Sequence, residues 1–207
     1  LLATLKMLSS KKQALENKIL VDQATSLVPV GPWITGEDSL VELMADWRTS
    51  AREMFFAQIN PTPASMKEYL SNYAIKKDDR ILFMVQFQEL FVGHIGLSRI
   101  FDGVAHIDQV MKSPNPYTEL PKGVMSKSLT VLTEWGHSQL GIRRYMLEVI
   151  SSNDDAIRFY QRMGFEIFQS EPLTEVYENE NRYLRLPKDG DFVISTRKVH
   201  MQKAFTQ

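Results

Sequence analysis

The chain has 207 residues, of which 43% are apolar and 24% are charged, and its formal net charge is −1. These values are typical of a globular protein with a hydrophobic core, and they exclude a global basic field that would recruit nucleic acid or an anionic membrane. The sequence contains no cysteine, which excludes disulfide bonds, thiolate catalysis and cysteine-based zinc sites and agrees with a cytoplasmic location.

Membrane segments and metal sites are not predicted either. No apolar run reaches the roughly 18 residues that span a bilayer. The four histidines show no metal-ligand spacing. The chain begins with Leu1, so we expect it to be trimmed or to be a piece of a longer polypeptide.

Residues 1–24 have the pattern of a helix, with leucine and isoleucine interleaved among Lys, Gln and Glu. The apolar run is too short and too interrupted for a signal peptide. We interpret the segment as an N-terminal helical extension that packs on the domain's own surface. The alternative is a connector to an upstream domain or a contact in a homodimer. The main domain is predicted to span residues 25–207.

The first part of this domain is predicted to be an edge strand followed by two helices. Residues 27–34 suit an edge strand because their prolines cannot donate to a central ladder. A helix is expected over residues 37–48, and a second begins after Thr62, whose hydroxyl can cap its first turn. The loop between the helices carries Arg48, Arg52, Phe55 and Phe56.

Three strands then form a predicted antiparallel meander over residues 80–87, 91–100 and 104–112, with a two-residue turn at Asp102-Gly103. A long helix is expected over 122–140 and a strand over 143–151. Because the helix can cross over the sheet, strands 104–112 and 143–151 are expected to be parallel neighbours. The tail is β-like, and we predict a final hairpin between residues 183–186 and 192–201.

The most specific stretch is residues 153–165. Asn153 or Asp154 can cap a helix there, and Gly164 can end it. One helical face carries Ala156, Phe159, Tyr160 and Met163. The order N-x-x-A-x-x-x-Y-x-x-x-G-F resembles the closing signature of the GNAT superfamily, the acetyl-CoA-dependent N-acyltransferases.

The order of elements also matches the topology of this superfamily, and the resemblance covers about residues 27–205. It implies an α+β (mixed α/β) fold, with a twisted mixed sheet of about six to seven strands and helices on both faces. It further implies that acetyl-CoA is the co-substrate.

The resemblance places the cofactor at two elements. The family wraps the CoA pyrophosphate with a [Q/R]-x-x-G-x-[G/A] loop at the start of the long helix. Gly123 matches the first glycine, whereas Met125 and Leu120 depart from the pattern. Backbone N–H donors do not depend on side chains, so binding is expected at Lys122, Gly123, Val124, Met125 and Ser126. The preceding strand is expected to pair with pantetheine through Val110, Met111 and Lys112.

The catalytic residues are inferred from the same resemblance. Tyr160 matches the tyrosine that protonates the departing thiolate, and Asn153 matches the asparagine that contacts the cofactor. On its spacing alone, Tyr160 is better interpreted as a core aromatic residue whose hydroxyl finds a hydrogen-bond partner.

For the general base, His106, Asp108 and Val110 alternate on one strand face. An unperturbed histidine has a pKa of about 6.5, which suits proton transfer near neutrality. Asp108 is expected to act as the base, to orient His106 or to bind the substrate ammonium. A buried structural role for His106 stays open, and His94 is a weaker candidate.

The predicted activity is acetyl transfer to a primary amine of a small molecule. Residues 107–111 together with Gly123-x-Met125 resemble a GNAT subgroup that acts on amino-sugar nucleotides. Two alternatives remain. One is acetylation of a protein N-terminus or lysine, and the other is a module that binds acyl-CoA without turnover.

Overall fold

The computed structural model describes residues 1–114 and 119–205. The α-helices are α1 (Leu2–Lys6), α2 (Lys11–Glu16), α3 (Asp38–Ser50), α4 (Pro63–Tyr69), α5 (Val124–Leu140) and α6 (Asp154–Arg162). The strands are β1 (Ile19–Leu20), β2 (Thr25–Pro29), β3 (Ala57–Gln58), β4 (Ile81–Phe87), β5 (Leu90–Phe101), β6 (Val104–Lys112), β7 (Arg144–Ile150), β8 (Glu166–Glu178), β9 (Asn181–Arg185) and β10 (Ile194–Ala204). Apart from the two-residue strand β3, the α-helices and strands from β2 to α6 follow the predicted order of strand, two helices, three strands, helix, strand and helix.

Within the described residues, the strands form a mixed sheet in the order β1-β2-β4-β5-β6-β7-β10-β8-β9-β3. Neighbouring strands are antiparallel except β6 and β7, which are parallel because α5 crosses over between them. This confirms the predicted mixed fold. The expected six to seven strands were too few, because β1 and β3 are only two residues long and the tail contributes three strands.

Both faces of the sheet are covered. On one face, which we call the α5/α6 face, these two helices pack on a core that includes Phe83, Ile95 and Tyr145. On the other, which we call the α3/α4 face, α3 and α4 pack on a core that includes Trp33 and Met84. Helices on both faces were predicted, and each covers its side of the sheet with an apolar stripe.

Close packing of α5 on the sheet depends on Gly136. A Cβ atom at this position would lie 2.5 Å from the hydroxyl of Tyr145, which in turn donates to the carbonyl of Thr133 at 2.6 Å. The helix can therefore approach β7 closely enough for the Tyr145 hydroxyl, buried in the core, to find its hydrogen-bond acceptor.

Two local predictions were wrong. Residues 1–24 do not form one helix but α1, α2 and β1, and α2 begins with a capping box between Ser10 and Gln13. Leu5 and Ala14 from this segment are buried in the two cores. The predicted final hairpin is also absent from the described residues, because β9 pairs with β8 whereas β10 lies between β7 and β8.

Candidate active site

A cleft opens between β6 and β7 because the two strands pair over three residues only. Val104–His106 face Arg144–Met146 in parallel register. Beyond this point β7 is paired only with β10, on its other side, and β6 is paired only with β5. Among the described residues, the edge of β6 over 107–112 that faces β7 therefore has no strand partner. An edge of this kind offers its backbone N–H and C=O groups to an extended ligand.

The start of α5 provides donors beside this edge. Gly123 is the N-cap and has φ +85°, a left-handed conformation that glycine adopts without strain. The first N–H groups of a helix have no partner within it, and the positive end of the helix dipole favours an anion. The side chain of Val124 is buried in the core, so this residue can contribute only its backbone. Met125 and Ser126 follow in the first turn.

Helix α6 begins where β7 ends. Asn153 is its N-cap, and its Oδ1 atom accepts from the N–H of Ala156 at 3.2 Å. This confirms the predicted cap and occupies the amide oxygen, so that the Nδ2 group remains as its donor. Gly164 has φ +85° and lies just after the end of the helix, as predicted.

Tyr160 lies on the buried side of α6. It is 8% exposed, and its ring packs edge-on against Phe159 and Phe165. Within the part of the chain that the structure describes, its hydroxyl makes no hydrogen bond. Burial, followed by the negative charge of Asp108, raises the pKa of this hydroxyl. Tyr160 therefore keeps its proton at neutral pH, which an acid requires.

The facing strand β6 contains a β-bulge at Gln109. From Gly96 to His94, β5 advances two residues, while β6 advances three, from Asp108 to Met111. Gln109 has φ +52°, and its N–H donates to Oδ1 of Asp108 at 2.8 Å. The bulge rotates every side chain after it to the other face of the sheet.

This bulge corrects one prediction. His106, Asp108 and Val110 do not share a face, because Val110 packs against the core of the α5/α6 face. Met111 instead is buried in the core of the α3/α4 face. The backbone of residues 110–112 still lies along the open edge of β6.

His106 lies on the α3/α4 face, at the last parallel pair of β6 and β7. Its Nδ1 atom is 3.5 Å from Nη1 of Arg99, which is 3.4 Å from Oε1 of Glu148. Burial, and then the charge of Arg99, lowers the pKa of His106, so the imidazole is neutral at pH 7. A neutral imidazole can accept a proton, as a base must.

Glu148 also belongs to a larger cluster of charged side chains, which was not predicted from the sequence. Its carboxylate lies 3.8 Å from Nζ of Lys198 and 3.8 Å from Nδ1 of His200. Nε2 of His200 is 2.5 Å from Oε2 of Glu171. These side chains come from three neighbouring strands. Their proximity follows from the strand order of the tail, which no local sequence pattern indicates.

On the α3/α4 face, the two helices and the loop between them form a wall beside the sheet. The guanidinium of Arg48 lies 3.6 Å above the ring of Phe55 and donates to the carbonyl of Ala57 at 2.5 Å. Its Nη1 atom is buried and has no partner among the described residues. Burial lowers the pKa of Arg48 to about 10. A half-buried cation therefore stands in this wall.

Tyr69 lies in the same wall, beside Asp108 and Gln109, and was not predicted from the sequence as a site residue. Burial, followed by the charge of Asp108, raises the pKa of its hydroxyl. The charge of Asp108 raises the pKa of both Tyr69 and Tyr160. Asp108 and Gln109 of the bulge line the same small cavity as Tyr69, whereas His106 lies where β6 and β7 still pair.

His94 is neutral and buried, with an exposure of 3%. Its Nδ1 atom is 2.6 Å from the carbonyl oxygen of Gln109, and burial lowers its pKa from 6.5 to about 4. Between these two values the unfolded chain binds a proton that the folded chain does not. Stability therefore falls as the pH is lowered through this window and is regained as the pH rises.

We expect the free energy of unfolding to decrease by about 3 kcal/mol between pH 6.5 and 4 through His94 alone. Urea unfolding at a series of pH values measures this, with His94→Asn as the comparison because asparagine does not titrate. The variant should lose less stability over the same window. Parallel loss in both proteins would assign the acid sensitivity to other groups.

The described residues contain no group of three or more His, Cys, Asp or Glu side chains that could hold a metal ion. None of the described helices combines the length and apolar character needed to cross a membrane.

Several solved structures share this architecture. RimL, a ribosomal L7/L12 alpha-N-protein acetyltransferase in complex with coenzyme A, is 13% identical, with 91% of this chain and 98% of that chain covered and a TM-score of 0.65. The microcin C7 self-immunity acetyltransferase MccE, in complex with acetyl-CoA and AMP, is 14% identical, with 98% and 99% covered and a TM-score of 0.65. Spermidine N-acetyltransferase from Vibrio cholerae, in complex with CoA and spermine, is 15% identical, with 88% and 96% covered and a TM-score of 0.63.

At these identities the solved structures show a shared fold. No curated protein sequence matches the chain significantly. The model of the acetyltransferase (GNAT) family matches residues 41–165, which is more than half of the chain. The chain therefore belongs to the acetyltransferase (GNAT) family.

Proposed function

We propose that this chain transfers an acetyl group from acetyl-CoA to a primary amine of a small molecule in the cleft between β6 and β7. Its family makes it an acyl-CoA-dependent transferase with acetyl-CoA as co-substrate. The observation that carries the proposal is the divergence of β6 and β7 beside the first turns of α5 and α6.

The residues present fit acetyl-CoA. The unpaired edge of β6 over 107–112 can pair with the amide groups of pantetheine, as strands pair with extended ligands. The first turn of α5, with Lys122 exposed just before it, can receive the pyrophosphate. Asn153 can donate through Nδ2 from the start of α6. The contacts of β6 and of the first turn of α5 use backbone groups, so they tolerate Met125 and Leu120 where the family pattern differs.

The chemistry needs a proton acceptor and a proton donor. We assign the donor role to Tyr160, whose raised pKa keeps the hydroxyl protonated next to the departing thiolate. We assign the acceptor role to Asp108, whose charge is felt by Tyr160 and whose Oδ2 atom accepts no hydrogen bond from the described residues. His106 stays the second candidate because it is neutral at pH 7.

A small acceptor with an anionic group fits the cleft better than a protein terminus. Arg80, Arg99 and Arg182 each contact a carboxylate. Arg48, by contrast, contacts no carboxylate among the described residues. It lies near Tyr69 in the wall formed by α3, α4 and the loop between them. An amino-sugar nucleotide supplies both an amine for Asp108 and phosphates for Arg48. MccE, which binds AMP, is a neighbour of the same fold.

Acetylation of a protein N-terminus is the second candidate, since RimL shares the fold. A third candidate is a module that binds acyl-CoA without turnover, which the departures at Leu120 and Met125 favour.

Thiol release from acetyl-CoA over an amine panel separates these functions. The panel contains spermidine, glucosamine, glucosamine 6-phosphate, a nucleotide-linked amino sugar and a Ser-initiated peptide, and mass spectrometry identifies the product. We expect release with an anion-bearing small amine. Release with the peptide alone would favour the second candidate, and binding of acetyl-CoA without release would favour the third.

A further inference from the structure

The bulge in β6 is held from both sides of Gln109. On one side its N–H donates to Asp108, and on the other its carbonyl accepts from His94 at 2.6 Å. A residue with a side chain and φ near +52° is strained. It persists only where its surroundings hold it. The hydrogen bond from His94 therefore stabilises the bulge.

The imidazole of His94 has a defined protonation state. A carbonyl oxygen only accepts hydrogen bonds, so Nδ1 of His94 carries the proton. The ring is buried, with its centroid 6.2 Å from that of Trp47 on α3, and its low pKa keeps it neutral near pH 7. The bond from His94 to Gln109 is thus a neutral hydrogen bond that does not change over the physiological pH range.

Gly93 allows the two strands to approach at this point. A Cβ atom on Gly93 would lie 2.3 Å from the carbonyl oxygen of Met111, closer than any side chain tolerates. Gly93 thus leaves room for the bulge, and His94 holds the bulge through a hydrogen bond. Both precede the bulge by more than ten residues.

Because the hydrogen bond from His94 fixes the carbonyl of Gln109, it also fixes the direction of the next backbone N–H group, that of Val110. The peptide between Gln109 and Val110 is planar and trans, so its C=O and N–H point in opposite directions. The carbonyl points toward His94 on β5. The N–H of Val110 therefore points away from β5, toward the side on which β6 has lost its partner β7.

We propose that His94 is a positioning residue that aims the N–H of Val110 at the acyl oxygen of the bound thioester. This rests on the proposed function, because it assumes that the acyl group lies along the open edge of β6. When an amine attacks the thioester, the carbonyl oxygen gains negative charge, and a fixed backbone donor stabilises that charge. His94 touches neither substrate and acts through the backbone of residues 109 and 110.

Asparagine and glutamine form a matched pair for the test. The amide nitrogen of Asn reaches the position of Nδ1 in histidine, whereas that of Gln reaches the position of Nε2. We expect His94→Asn to keep the turnover number within about fivefold, and His94→Gln to lower it about 100-fold, the effect of losing one oxyanion donor. The assay uses the amine of the panel that the wild type acetylates fastest. Calorimetry should give an acetyl-CoA affinity within about threefold of wild type for both variants.

A spectroscopic readout tests the geometry without turnover. The backbone amide resonance of Val110, observed in ¹⁵N-labelled protein, should shift more on addition of acetyl-CoA than on addition of CoA, which lacks the carbonyl. We expect this difference in the wild type and in His94→Asn, and its loss in His94→Gln. Equal turnover in the Asn and Gln variants, or no acetyl-specific shift in the wild type, would overturn the role of His94. If acetyl-CoA binds but no panel amine is acetylated, the acetylation proposal fails, and the amide shift still decides whether His94 aims the N–H of Val110.

Discussion

Replacing Tyr160 by Phe is expected to lower the turnover number about 100-fold, the lower end of what a general acid contributes. The substitution removes a buried hydroxyl that has no hydrogen bond within the described chain and leaves the ring packed against Phe159 and Phe165. The affinity for acetyl-CoA should stay nearly unchanged, because only a group that acts in the transition state is removed. Steady-state kinetics and calorimetry measure the two quantities.

Tyr145→Phe is the matched control. Tyr145 is also a buried tyrosine, but its hydroxyl donates to Thr133 in the core between α5 and β7. Its loss should cost about 1 kcal/mol of stability and leave turnover intact. Wild-type turnover in Tyr160→Phe would show that Tyr160 is a core residue. A similar loss in both variants would point to packing as the cause.

Replacing Asp108 by Asn is expected to lower the catalytic efficiency toward the amine by at least about 100-fold, because it removes the proton acceptor and the charge that attracts the ammonium. Asparagine retains an Oδ1 atom that can accept from the N–H of Gln109, so the bulge should persist. The acetyl-CoA affinity should therefore change little. The measurement is the pH dependence of efficiency for the wild type and the variant.

His106→Gln distinguishes the two candidate bases. His106 lies at the closed end of the cleft and contacts Arg99, so we expect a loss within about fivefold, well below the range for removing a general base. If the Gln variant instead loses the activity together with the lower limb of the pH profile, the base is His106. In that case Asp108 serves to bind the ammonium.

Much of the fold follows from local patterns in the sequence. The Asn153 cap, the Gly164 stop and the Asp102-Gly103 turn each satisfy a local backbone requirement, and all were predicted at the positions where they occur. The long α5 crossover then makes β6 and β7 parallel. These features need no information from distant residues.

The parts that were missed depend on distant partners. Nothing near Gln109 marks a bulge, since its geometry is held by His94, fifteen residues earlier. The pattern around Tyr69 indicates an apolar helix face but not that this face ends beside Asp108. The tail strands have similar composition, so their local sequence does not specify which of them adds to β7.

The central claim is that acetyl-CoA lies along the open edge of β6 and against the first turn of α5. Hydrogen exchange followed by mass spectrometry, with and without saturating acetyl-CoA, tests it most directly. We predict slower amide exchange in residues 107–112 and 124–126, with little change in β4 or β8. Protection confined to other segments, or no protection at millimolar acetyl-CoA, would contradict this placement of the cofactor.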